Sequence, residues 1–130
     1  MKTTQGKAVT AYMMISLLSG REMSNKGAWR LFNVERALQD IVDFQVRQEK
    51  KLAAELGGEI GPDGFKHDDP KKREEFDRRH EEMAKAECEV KIECEEMTAD
   101  GKAVIPLSML PKDMRPYEYR PLVDFIQFKE

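Results

Sequence analysis

The chain has few of the residues that build disulfide scaffolds and large aromatic cores. It contains two cysteines and one tryptophan, and aromatic residues make up 8% of its 130 positions. Two cysteines are too few for a disulfide framework. On an extended strand Cys88 and Cys94 would lie about 20 Å apart, which is too far to bond. We expect both thiols to be reduced, as in a cytosolic protein.

The chain also lacks an excess of basic residues and a long apolar run. Its formal net charge is −3 although 36% of its residues are charged, so nucleic acid is not the expected partner. The apolar run of residues 8–18 is too short to span a bilayer, and no small-x-small cleavage site follows it. We expect a cytoplasmic protein without a membrane partner, folded as a single domain over residues 1–130.

No motif for catalysis or for a cofactor is present. The glycines at positions 57, 58, 61 and 64 do not open a helix behind a strand, so they do not form a phosphate loop. His67, His80 and the two cysteines lack the spacing of a zinc site. No Ser or Cys stands in a nucleophile signature. We expect no metal, no cofactor and no enzymatic activity.

Residues 1–20 are predicted to contain an apolar helix. One face carries apolar residues at helical spacing: Ala8, Ala11, Tyr12, Ile15 and Leu18. Met13, Met14 and Leu17 make the segment apolar nearly all round. A helix of this kind is buried, either inside its own chain or in an oligomer.

Residues 25–88 are predicted to form a long helical hairpin. Its first arm starts near Ser24 or Asn25 and ends at Gly57, a length of about 48 Å that should extend beyond a compact base. The apolar positions of this arm follow the 3-4-3 spacing of a coiled-coil seam: Leu31, Val34, Leu38 and Ile41. We expect this seam to be the interface with a second copy or with a partner.

The tip and the second arm of the hairpin have clear boundary signals. Pro62-Asp63-Gly64 predicts a turn, because proline fixes φ and glycine accepts a positive φ. Asp69 is the predicted N-cap of the second arm, with Pro70 at its first position. Most other residues of this arm are charged with mixed sign, which is typical of a solvated helix.

Beyond the hairpin the pattern changes from helical to alternating. Val90, Ile92 and Cys94 alternate with charged residues, and Asp100-Gly101 is a turn signal, so residues 89–108 are predicted to form a β-hairpin. Residues 109–130 are predicted to be a tail that docks at the base. The fold class that follows is mainly α (α+β).

Six residues are candidates for recognition, because Tyr, Trp and Arg are enriched at interface hot spots. They are Trp29, Arg30, Arg115, Tyr117, Tyr119 and Arg120. The alternative is that these aromatic residues seal the C-terminal tail against the helical base.

A resemblance to known proteins rests on the order of several patterns along residues 11–127. These are Ala-Trp-Arg-Leu-Phe-x-Val-x-x-Ala-Leu at 28–38, the Gly-x-x-Gly-Pro-Asp-Gly turn, a Glu-rich second helix, Glu-Val-Lys-Ile at 89–92 and a proline-containing tail. In this order the chain resembles small uncharacterised proteins of tailed bacteriophages and prophages. The resemblance implies a bacterial cytoplasm and a phage accessory role, and it implies no catalytic residues.

The functional expectation is a non-enzymatic phage accessory protein that self-associates as a homo-oligomer and binds a bacterial or phage protein. One alternative is a counter-defence inhibitor or sponge that acts on a bacterial immune protein or a nucleotide signal. In that case Arg30, Arg115 and Arg120 would contact phosphate. A further alternative is a virion assembly factor.

Overall fold

The computed structural model describes residues 1–130. Four helices form most of the regular structure: α1 (Gln5–Leu18), α2 (Asn25–Glu55), α3 (Pro70–Lys85) and α4 (Pro116–Tyr119). Six short strands pair two by two: β1 (Lys2–Thr4) with β4 (Glu87–Glu89), β2 (Glu59–Gly61) with β3 (Gly64–Lys66), and β5 (Ala103–Pro106) with β6 (Ile126–Lys129). The predicted fold class, mainly α with small β elements, is confirmed.

Helix α2 is the spine of the molecule. Its 31 residues extend over about 46 Å. The Ser24 side chain caps its start by accepting a hydrogen bond from the Gly27 backbone N–H at 3.0 Å. Its end is followed by Gly57, whose φ of +76° suits the glycine that closes a helix. None of the helices has both the length and the apolar character needed to cross a membrane.

Two helices share the length of α2. Helix α1 packs on its first part, where Tyr12 reaches Gln39, and α3 packs on its last part, where His80 reaches Glu49. The start of α1 meets the end of α3, because the Gln5 backbone N–H donates to the carbonyl of Ala86 at 2.9 Å. Helices α1 and α3 therefore lie end to end beside α2, and the predicted hairpin arms contact each other only in their distal half.

This arrangement divides the apolar core into two clusters. The base cluster holds fifteen buried residues from α1, the first half of α2 and the C-terminal third of the chain. The distal cluster holds only Leu52, Ala53, Leu56 and Phe76, with Phe65 stacked on Phe76 at a centroid distance of 4.4 Å. Between the two clusters a polar residue of α2, Gln45, is 4% exposed.

The tip follows its turn residues. Strands β2 and β3 form an antiparallel hairpin in which Ile60 pairs with Phe65 around the Pro62-Asp63 turn. Helix α3 then starts at Pro70, and the Asp69 side chain accepts a hydrogen bond from the Lys71 backbone N–H at 2.9 Å. A proline is well tolerated at the first helical position, because a backbone N–H there would have no hydrogen-bond acceptor within the helix.

The predicted β-hairpin over residues 89–108 is wrong in its pairing. Strand β4 pairs with β1, and β5 pairs in parallel with β6, where Ile105 lies opposite Phe128. Only one antiparallel bridge, Met97 with Ala103, remains beside the predicted turn. Val90 and Ile92 are buried, and their alternation arises because one side of the segment covers the base core. The backbone of Val90 extends the β1–β4 pairing: its N–H donates to the Met1 carbonyl at 2.8 Å, and its carbonyl accepts from the Met1 amino group at 2.9 Å.

The C-terminal tail packs on the base. Leu122 and Phe125 are fully buried in the base cluster, and Ile126 is 2% exposed. The first turn of α2 also lies very close to the segment before α4. Gly27 is buried there, and a Cβ added to it would overlap the carbonyl oxygen of Met109. The absence of a side chain at this position is what lets the two segments approach each other.

Candidate protein-binding surfaces

Helix α1 is apolar on both of its sides. Its buried side packs into the base cluster through Ala8, Ala11, Ile15 and Leu18. The opposite side carries Met13 and Leu17, which are 61% and 69% exposed. Residues 8–20 include no charged side chain, although 36% of the whole chain is charged. Solvation therefore does not explain the composition of the outer side.

We call this outer surface the α1 face. It consists of residues on the solvent side of α1 and just after it: Val9, Thr10, Met13, Ser16, Leu17 and Gly20. Helix α3 limits it at one end, because a Cβ added to Gly6 would lie 3.0 Å from the Cβ of Ala84. Depletion of charge and enrichment of Met are typical of interface centres, and soluble monomers rarely expose large apolar patches.

The predicted coiled-coil seam on α2 lies inside the monomer. Leu31, Val34 and Leu38 are fully buried in the base cluster, and Ile41 is partly buried against it. The prediction that these four residues form an intermolecular interface is therefore corrected. Their spacing does identify the buried face of α2, but α1 of the same chain covers that face. Self-association itself stays a prediction, and the α1 face is the surface left for it.

A second apolar surface lies on the outer side of α2. The rings of Trp29 and Phe32 have centroids 5.5 Å apart, and these residues are 51% and 44% exposed. The guanidinium of Arg36 lies 5.6 Å from the centre of the Phe32 ring, in cation–π range. We call these three residues the Trp29 patch. Trp and Arg are frequent hot-spot residues, so this surface also suits a partner.

An acidic loop borders the Trp29 patch. Residues 87–100 carry six acidic side chains and one basic side chain. Hydrogen bonds lower the pKa of Glu95, chiefly one from its own backbone N–H, with smaller contributions from the Cys94 thiol and the Trp29 indole. Glu95 is therefore ionised at neutral pH, and it adds a negative charge beside the Trp29 patch.

Arg30 is engaged within the chain. It donates to the carbonyl of Val104 at 2.8 Å, and it lies 3.8 Å from the carboxylate of Glu95 and 3.5 Å from that of Glu96. Its side chain is only 15% exposed. Arg30 is therefore a structural clamp between α2 and the acidic loop, and its cation is already neutralised.

The four remaining candidate residues surround α4. Tyr117 is 59% exposed, and Arg115 and Arg120 are exposed as well. Tyr119 instead packs edge-on against Phe128 at a centroid distance of 5.0 Å and closes the base cluster. The six predicted recognition residues thus fall into two groups, one at the start of α2 and one at α4. Arg30 in the first group and Tyr119 in the second have structural roles.

A surface cavity of about 760 Å³ lies between the α1–α2 connection and residues 108–113. Arg21 and Lys112 are the cations in its wall. The Arg21 guanidinium donates to Asp113 at 2.7 Å and also to the buried carboxylate of Glu118. The hydrogen bond from Arg21 lowers the pKa of Asp113. Asp113 and Glu118 therefore neutralise Arg21, and Glu22 and Lys112 complete the charged part of the wall.

The residues that most often perform catalysis have structural contacts. His80 lies 2.8 Å from a carboxylate oxygen of Glu49, and the ring Nδ1 of His67 accepts a hydrogen bond from the Asp69 backbone N–H at 2.9 Å. Burial raises the pKa of the Cys88 and Cys94 thiols, which are both free. No group of three or more His, Cys, Asp or Glu side chains is arranged to hold a metal ion.

No family model matches the chain, and no match is found among curated proteins or solved structures. Met13 and Leu17, the two most exposed apolar residues of these surfaces, were predicted to belong to a buried apolar helix but were not among the predicted interface residues. The sequence signal that marks them is the lack of charge in residues 8–20.

Proposed function

We propose that this chain is a non-enzymatic accessory protein that acts by binding other protein chains. It self-associates, and it also binds a protein of a bacterial host or of a phage. The observation that carries the proposal is the α1 face, where Met13 and Leu17 project into solvent from a helix without charge. The phage setting and the bacterial cytoplasm rest on the resemblance of residues 11–127 to small phage and prophage proteins.

The chemistry of the remaining residues supports a binding role rather than catalysis. A catalytic cysteine needs a lowered thiol pKa, whereas burial raises the pKa of Cys88 and Cys94. His67 and His80 each contact a neighbouring backbone or carboxylate group and no nucleophile. In the cavity beside the α1–α2 connection, the cation Arg21 is neutralised by Asp113 and Glu118.

The Trp29 patch supports the second part of the proposal, the heterologous partner. It is separate from the α1 face in composition, because it combines two aromatic rings with Arg36 and the neighbouring Glu95. A small chain with two different exposed apolar surfaces can contact its own copy and another protein at the same time. Virion assembly is one setting for such a partner, and counter-defence inhibition is another.

A nucleotide sponge is the second candidate, supported by Arg115, Tyr117 and Arg120, which are exposed around α4. Two arginines beside an aromatic ring suit a phosphate and a base. Arg30, however, is held by Val104, Glu95 and Glu96 and is not free for phosphate. Thermal shift with cyclic nucleotides and NAD derivatives tests this candidate, and no stabilisation by any of them removes it.

Affinity purification from infected bacterial cells tests the main proposal. We expect the wild-type chain to retain a specific protein that is lost when Trp29 and Phe32 are both replaced by alanine. The matched control is Phe44→Ala, because Phe44 is 46% exposed on the same helix but is not part of the Trp29 patch. Light scattering at rising concentration tests self-association. A monomer at every concentration that also retains no specific protein contradicts the proposal.

A further inference from the structure

We propose that a second copy of the chain covers the α1 face. The two α1 helices pack antiparallel across a two-fold axis that passes near Met13. This inference rests on the proposed self-association and assigns its surface, orientation and register. The alternative occupants, a heterologous protein or no partner, are outcomes of the experiments below.

The α1 face has the residue spacing of a helix–helix seam. Its exposed positions include a run at alternating intervals of three and four: Thr10, Met13, Leu17 and Gly20. This is the spacing that keeps one stripe of a helix against a facing helix. The buried stripe of α1 lies on the other side and already packs into the base cluster. Helix α1 therefore carries two stripes, and only one of them is covered within the chain.

The seam is complementary to itself when it is reversed. With the axis near Met13, the two Met13 side chains meet, and Leu17 of each copy faces Thr10 of the other. The larger Leu17 then meets the smaller Thr10 on each side of the central Met13 pair, which allows the two helices to pack closely. A two-fold interface uses the same patch on both copies, so the patch has to be complementary to itself.

Charge favours a second copy as the occupant. In a two-fold interface, each charged residue near the axis would face the same charge on the other copy, which is destabilising. The α1 face has no charge to repel its copy. By contrast, the outer side of α2 carries Arg36, Asp40, Asp43 and Arg47, and α3 is charged on nearly every exposed position. The α1 face is thus the helical surface on which self-pairing meets no like charges.

A neighbouring row on α2 enlarges the interface. The hydroxyl of Tyr12 donates to Gln39 at 2.7 Å, so the Gln39 row lies beside α1. Val46 is seven residues after Gln39, hence on the same side of α2, and it is 42% exposed. Two helices side by side give each copy a face about 20 Å wide and about 20 Å long.

The size of this face sets the expected strength of the dimer. A flat area of about 400 Å² per copy corresponds to roughly 1,000 Å² buried in total, because the side chains make the real surface larger than its projection. This total is at the lower limit for a specific interface. We therefore expect a dimer with a dissociation constant in the micromolar range rather than a permanent one. Its detection needs concentrations from about 1 to about 500 µM, which bracket that range.

The first experiment measures mass by light scattering over that range. We expect the wild-type chain to pass from monomer to dimer. Met13→Asp, which places two like charges at the axis, should raise the dissociation constant at least tenfold. The control is Phe44→Asp, which introduces the same charge at an exposed position of α2 away from the seam and should leave dimerisation unchanged. Circular dichroism confirms that both variants are folded.

The second experiment determines the orientation by disulfide trapping, in a chain with Cys88→Ala and Cys94→Ala. Met13→Cys should cross-link to itself under mild oxidation. A mixture of Thr10→Cys and Leu17→Cys chains should give mainly the mixed dimer, whereas a parallel arrangement would give like pairs. Phe44→Cys should not cross-link above the background of random collision.

The outcomes separate this inference from the proposed function. A dimer that survives Met13→Asp, or that is lost on Phe44→Asp, overturns the assigned surface but leaves self-association intact. Trapping of like pairs of Thr10→Cys and Leu17→Cys overturns the antiparallel register alone. A strict monomer at every concentration overturns both the inference and the self-association on which it rests.

Discussion

The hydroxyl of Tyr12 in α1 donates a hydrogen bond to the side-chain oxygen of Gln39 in α2, at 2.7 Å. The amide nitrogen of Gln39 in turn donates to the carboxylate of Asp43 at 2.9 Å. This contact sets the register of the two helices, because the remaining α1–α2 interface is apolar and non-directional. It also positions the side of α2 that flanks the α1 face.

Tyr12→Phe should reduce the free energy of unfolding by about 1 kcal/mol. The substitution removes the partly buried hydrogen bond from the Tyr12 hydroxyl to Gln39 and leaves the aromatic ring in place. Urea denaturation at pH 7 measures the change. The control Tyr117→Phe affects a tyrosine that is 59% exposed and should change stability by less than about 0.5 kcal/mol. Equal losses in both variants would mean that the Tyr12 hydroxyl contributes nothing specific.

Gly27→Ala should destabilise the protein by about 3 kcal/mol. The added methyl group would overlap the Met109 carbonyl, so either the first turn of α2 or the segment before α4 has to move. Gly20→Ala is the matched control, because its added Cβ meets nothing closer than the Leu17 carbonyl oxygen at 3.8 Å. Denaturant unfolding of the two variants checks this prediction, and a Gly27→Ala protein as stable as wild type would refute the tight approach.

Gln45→Met should stabilise the protein by about 1 kcal/mol. Gln45 is 4% exposed, and its side-chain oxygen has no hydrogen-bond partner. An unbranched apolar side chain of similar length removes this unsatisfied group without a change of helix propensity. The melting temperature should rise by about 3–5 °C. Gln48→Met, one turn further along the same helix at a half-buried position, should give a smaller change.

The contribution of Asp113 to stability should disappear in acid. The hydrogen bond from Arg21 lowers its pKa below the ordinary value of 3.8, so the folded state favours the ionised form. That stabilisation is fully present above about pH 4 and is lost as the pH falls through the folded-state pKa. Wild type should therefore be more stable than Asp113→Asn at pH 7, and the difference should shrink towards zero below that pH. A difference independent of pH would contradict this account.

The elements that the sequence predicted correctly are those with a local cause. Helix α2 starts after the Ser24 cap and α3 starts at Pro70, because capping side chains and proline act on their immediate neighbours. The tip hairpin likewise forms around Pro62-Asp63. In each case, the residues that determine the boundary lie within a few positions of it.

The elements that the sequence predicted wrongly depend on which distant segment covers them. The spacing of Leu31, Val34 and Leu38 identifies a buried face but is the same whether α1 or a second copy covers it. The alternation of Val90 and Ile92 likewise reports burial but does not say which segment pairs with it, and Val90 pairs with Met1 rather than with residues 103–106. Both errors have one cause. The periodicity of a segment shows which of its faces is buried, but it does not show which other segment covers that face.

The division of the core into two unequal clusters has a consequence for local stability. The distal cluster holds four buried residues against fifteen at the base, and only one continuous helix, α2, and the short junction near Ala86 connect the halves. Since local opening costs least where few apolar contacts are broken, the tip and α3 should unfold as a separate unit before the base does. Backbone amides of α3 should therefore exchange with deuterium well ahead of those in α1, while α2 shows fast exchange at one end and slow exchange at the other. The backbone hydrogen bonds of the single helix α2 would thus open at two different rates, fast near the tip and slow in the base.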